Sequence, residues 1–107
     1  KSLFIPLQAQ NVETTQYDAP SGTRTIIDKF TGTNTTAAVA TLTVKLVQSG
    51  GAASVSNTVV SAKTLQPGET YTFPEVVGHV LNAGDFLSTL AGTADAITIR
   101  ASGREVS

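Results

Sequence analysis

The side chains that could do chemistry are few and dispersed. The single histidine, His79, stands among Val76, Val77, Val80 and Leu81. A hydrolytic role would need a nucleophile and an orienting acid beside the imidazole, and a chain with no cysteine and one histidine offers neither triad nor dyad by spacing. Such a histidine is expected to be buried or to lie at an interface. The carboxylates are Glu13, Asp18, Asp28, Glu69, Glu75, Asp85, Asp95 and Glu105, mostly alone and mostly at turns. Nothing selects two of them as the acid pair of a glycosidase, and none forms the run of alternating acids around a glycine that a calcium loop needs. Asp85 and Asp95 read as turn formers that bond to nearby backbone. The segment Thr31–Thr36 carries one glycine, Gly32, but has neither the glycine spacing nor the lysine of a phosphate loop, and reads as a linker between strands. Glycan stacking would fall to Tyr17, because tryptophan is absent and Tyr71 is assigned to the core. The expectation is therefore a chain without catalytic residues, metal ligands or cofactor, and not an enzyme.

The elements that must position these groups are strands. Ala38–Gln48 gives the clearest alternation, with Ala40, Leu42, Val44 and Leu46 on one side and Thr41, Thr43 and Lys45 on the other, the period of two of a strand with one wet face. Thr23–Phe30 is expected to be a strand, yet neither of its faces is cleanly apolar: Ile26 and Phe30 alternate with Arg24 and Asp28 on one, and Ile27 with Lys29 on the other. Thr58–Leu65 ends at Gln66-Pro67-Gly68-Glu69, the sequence of a type II turn, which predicts a hairpin with Thr70–Phe73. Glu75–Leu81 is read as a strand or a single helical turn, and Phe86–Leu90 and Ala96–Ala101 as further strands, the last continuing through a glycine bulge at Gly103. Leu42, Val44, Leu46, Tyr71, Phe73, Ile97 and Ile99 are expected to share one core. Residues 1–10 form an N-terminal arm or edge strand, since Pro6 excludes its segment from the interior of a sheet, and 11–107 form one domain. Turn signals roughly every ten residues imply seven or eight strands in an all-β antiparallel sandwich or barrel.

Composition narrows the partners. The 107 residues suit one core, and folding such a chain removes about two-thirds of its surface from water. Seven basic residues against eight acidic ones leave a net charge of -1, without the basic excess that nucleic-acid binding requires. No apolar run approaches the ~20 residues that cross a bilayer. Neither nucleic acid nor membrane is an expected partner. Threonine occurs 17 times and only 14% of residues are charged, which suits a half-buried pleated surface and a skin partly covered by other chains.

The C-terminal two-thirds, residues 38–106, reads as a connected phrase. Lys63–Tyr71 is KTLQPGETY, Val77–Asp85 is VGHVLNAGD, and Ala96–Glu105 is AITIRASGRE. In this order the segments resemble small virion structural proteins of tailed bacteriophages, in particular the capsid cement or decoration proteins of short-tailed phages. The resemblance implies a jelly-roll-like sandwich, present in many copies on the outer surface of the capsid, binding the major capsid protein and itself as a homodimer or homotrimer. Leu3, Phe4 and Ile5 would then be a candidate subunit-contact arm, able to add to a neighbouring sheet edge. A tail-fibre or receptor-binding module of a virion is the alternative.

Overall fold

The computed structural model describes Lys1–Ser107 as an all-β chain of nine strands: β1 Leu7–Gln8, β2 Thr14–Asp18, β3 Arg24–Asn34, β4 Ala40–Val47, β5 Thr58–Leu65, β6 Thr70–Tyr71, β7 Val80–Leu81, β8 Phe86–Ala91 and β9 Ile97–Val106, with one 3-10 turn at Val55–Asn57. The strand not expected from the sequence is β2, whose residues are mostly polar. All pairings are antiparallel, and they form two sheets. The first has the order β1-β9-β3-β6, with β7 also on β3. The second has the order β2-β8-β4-β5. One set of pairings is nested in sequence, with β4 on β5 innermost, then β3 on β6 and β7, β2 on β8, and β1 on β9, while β3 on β9 and β4 on β8 join these pairs into the two sheets.

One cluster of 20 buried residues takes side chains from both sheets, including Ile27 and Phe30 of β3, Leu42 and Val44 of β4, Leu87 of β8, and Ile97 and Ile99 of β9. Five of the seven expected core residues are fully buried; Leu46 and Tyr71 are partly buried and pack against the cluster. Phe73 lies between Phe30 and Tyr71, with ring centroids at 5.1 and 4.8 Å in edge-on contacts, the arrangement that aromatic quadrupoles favour.

The mixed faces of β3 have a specific cause. Ile27 pairs with Gly103 and Lys29 with Ser102, so Asp28 is an extra residue in β3, a bulge. Inward positions run Thr25, Ile27, then Phe30, Gly32 and Asn34, and the period of two changes phase at the bulge. A strand without it would turn Lys29 inward together with Ile27. Position 103 must lack a side chain here, because a Cβ would run into the Ile26 carbonyl oxygen. The free edge of the bulge is also covered: Ile27 N–H donates to the His79 carbonyl at 3.0 Å, and Gly78 N–H donates to the Ile27 carbonyl at 2.7 Å.

Two expectations are corrected. Thr31–Asn34 is not a linker but the second half of β3. Its buried Asn34 side chain donates to the carbonyls of Ala38 and Leu65 and accepts from Thr36, while its backbone is bonded to Gly68 and Glu69. The Pro67-Gly68 turn forms as expected, with Gly68 at φ 77° and Glu69 N–H donating to Gln66, but it does not close a hairpin. Asn34 draws the outgoing chain across, so β6 pairs with β3 in one sheet while β5 stays on β4 in the other.

Gly103→Ala is expected to destabilise the fold by about 1–3 kcal/mol, the usual range of overpacking, as read from urea unfolding midpoints. A change under about half a kcal/mol, typical of neutral surface sites, would show that the bulge does not depend on the glycine.

Candidate interaction site

The N-terminal segment lies on the chain's own sheet. Ser2 bridges to Ser102, Leu3 N–H donates to the Ala101 carbonyl at 3.0 Å, and Leu7 and Gln8 rejoin β9 opposite Ile99 and Thr98. Phe4–Pro6 bow away from β9 between these contacts, where the missing N–H of Pro6 costs no ladder bond. The three candidate contact residues therefore separate. Leu3 is buried in the core, Phe4 packs edge-on against Phe30 with centroids 6.4 Å apart, and Ile5 is 82% exposed. Only Ile5 keeps an apolar side chain free for another molecule.

Tyr17 is not a surface platform. It is buried, and its hydroxyl donates to Glu105 Oε2 at 2.5 Å and accepts from Thr25 Oγ1 at 2.7 Å. Lys1 Nζ holds the other oxygen of Glu105 at 2.9 Å. Tyr17 belongs to β2 in one sheet, and Thr25 and Glu105 to β3 and β9 in the other. Burial, reinforced by the neighbouring carboxylate, pushes the Tyr17 phenol up to about 12. The phenol hydrogen bond, then Lys1, holds the Glu105 carboxyl below its usual range.

His79 is exposed rather than buried. It stands between two shallow clefts of about 480 and 200 Å³ that share Leu46, Val47 and Gln48 as a wall. Asp85 borders the smaller cleft, but its two oxygens accept the backbone N–H groups of Ser49 and Asn82, each at 2.9 Å. It closes a turn, as expected, and is not an orienting acid for the imidazole. Asp95 also occupies a turn, but through its backbone: φ is 58°, the left-handed region that aspartate tolerates. The remaining acids are dispersed, Glu13 toward Lys45 and Ser88, Asp28 toward Arg104, and Glu75 toward the Tyr71 hydroxyl. No three His, Asp or Glu side chains converge, and no helix is long and apolar enough to cross a membrane.

The inter-sheet hydrogen bond gives a pH signature. A depressed carboxyl contributes stability that is present above its unfolded value of 4.5 and lost as pH falls through the folded value. A raised phenol contributes stability that is present below 10.0 and lost as pH rises toward about 12. Tyr17→Phe should therefore lower the melting temperature most between those limits, with the gap to the parent narrowing on both the acid and alkaline sides. A gap independent of pH would assign Tyr17 a packing role alone.

No protein-family model, curated protein or solved structure matches this chain.

Proposed function

We propose that the chain is a capsid decoration protein of a bacteriophage, a jelly-roll-like sandwich that stabilises the shell by lying across major capsid protein subunits. Support for the sandwich comes from the nested pairing, which has the strand order of two Greek keys rolled into facing sheets, and from the single core shared by both sheets. Support for docking comes from the outer face of the larger sheet. Gln8, Thr98, Thr33 and Thr70 stand in one register row across four strands, with Thr31 in the next row. Thr33 and Thr70 hydroxyls are bonded to each other at 2.8 Å. The bonded Thr33–Thr70 pair presents methyls and hydroxyls that satisfy each other, so this part of the face loses little hydration when covered, and this is the observation that carries the reading. A decoration protein that binds only assembled shell raises the free energy of disassembly by mass action.

The tail-fibre or receptor-binding alternative draws on the clefts beside His79, since jelly rolls also serve as lectins. Copy number separates the two: hundreds of copies per particle fit decoration, and a few dozen or fewer fit a tail component. Ile5→Asp, at an exposed site, is expected to leave the melting temperature unchanged and to reduce occupancy on purified shells, measured by quantitative gel or mass spectrometry. Unchanged occupancy would remove the arm from the docking surface.

A further inference from the structure

The cations of this chain are unevenly satisfied. Lys1, Lys45 and Arg104 are paired with Glu105, Glu13 and Asp28, and Lys63 sits 4.5 Å from the centre of the Tyr71 ring. Arg24, Lys29 and Arg100 have no carboxylate partner. Two of these three come together on the outer face of the larger sheet: Arg100 is directly opposite Thr31, and Lys29 is two residues before Thr31 on the same strand, opposite Ser102. Like charges placed as diagonal neighbours across a strand pair repel. Neither finds relief nearby, since Asp28 is already held by both Nε and Nη2 of Arg104.

Between them lies a groove of about 560 Å³ lined by Lys1, Ser2, Lys29, Thr31, Arg100 and Ser102, with no carboxylate in its wall. We propose that this groove binds the carboxylates of an acidic polypeptide segment on a partner protein. Arg100 offers a planar fork to a carboxylate, Lys29 a second charge, and the Thr31 and Ser102 hydroxyls can donate to the remaining oxygens. Nucleic acid fits less well. A phosphate-tracking protein makes roughly 6–10 phosphate contacts, whereas this groove has two uncommitted cations on a chain of net charge -1. That the partner is a shell subunit rests on the decoration reading; the chemistry of the groove does not.

The test is a titration of the full ¹⁵N-labelled chain, followed by NMR, with a pentaglutamate peptide, a pentaglutamine peptide and a short DNA duplex as probes. Saturable shifts of the Lys29, Thr31, Arg100 and Ser102 amides with pentaglutamate alone are expected. Binding should weaken roughly tenfold or more in the Lys29→Gln/Arg100→Gln double variant, whose two sites are exposed and leave the core intact. Absence of saturation, shifts that persist in the double variant, or tighter binding of the duplex than of the peptide would each overturn the proposal. Co-sedimentation with shells is read separately. Peptide binding without shell binding removes the decoration reading and leaves the groove, while shell binding without peptide binding removes the groove alone.

Discussion

The contact between the Ile26 carbonyl and the bare Cα of Gly103 is the constraint on which the arrangement of β3 depends. Because no side chain intervenes at Gly103, β3 can hold one extra residue, Asp28, against β9 and change phase. The first half of the strand then buries Thr25 and Ile27, and the second buries Phe30, Gly32 and Asn34. The same step sets the outer face. It turns Lys29 toward solvent beside Arg100 and leaves Asp28 free to meet Arg104. Core and candidate docking surface are thus two sides of one irregularity, in keeping with the tendency of bulges to redirect side chains.

The two sheets are joined by polar ties as well as by apolar packing. Near the start of β3, Thr25 meets Tyr17 of the other sheet, and the phenol reaches Glu105. At its end, Asn34 meets the Leu65 carbonyl of β5. Thr25 and Asn34 are nine residues apart, about 30 Å along a strand, so the ties sit at opposite ends of β3 with the aromatic and aliphatic core between them. Every buried polar side-chain atom has a hydrogen-bond partner, which is what allows Thr25, Asn34, Ser88 and Thr89 to be buried without a large desolvation penalty. Dispersion and burial hold the sheets together without regard to register, whereas a bonded phenol and amide accept one alignment. The apolar cluster therefore supplies most of the attraction, and these ties specify its geometry.

Much of this architecture was legible in the residues. The alternation of Ala40–Val44, the Pro67-Gly68 turn and the inward Ile97 and Ile99 follow from a period of two and from turn chemistry alone, whereas the strand changes phase at its end, where Val47 rather than Leu46 is fully buried. What escaped has a common origin in contacts distant in sequence. Thr31–Asn34 looks like a linker because Thr, Gly and Asn favour turns locally, and it becomes a strand because β9 and β6 flank it. Tyr17 looks like a surface ring because its neighbours are polar; its burial depends on Thr25 and on Glu105, 88 residues away. The hairpin after β5 fails because Asn34, not the turn, decides where β6 goes. The mixing of hydrophilic and apolar residues on both faces of Thr23–Phe30 was one visible sign of the bulge, and Gly103 was a second, on the partner strand.

The N-terminal segment shows how a single stretch divides between fold and surface. Leu3 and Phe4 complete the core, so an arm that left to pair with a neighbour would expose both side chains and give up the hydrogen bond to Ala101. Burying an aliphatic or aromatic side chain is worth about 1.5–3 kcal/mol, a cost the neighbour would have to offset twice before any net binding. The proposed docking, with the arm in place, would avoid that cost. It would use Ile5, the threonine rows and the Lys29–Arg100 groove on a surface already organised by β1, β3 and β9, so little ordering entropy would remain to be lost on association. On these energetics the proposed docking favours a rigid face covering its partner over strand exchange, and the apolar N-terminus holds that face in shape by packing on the chain's own core.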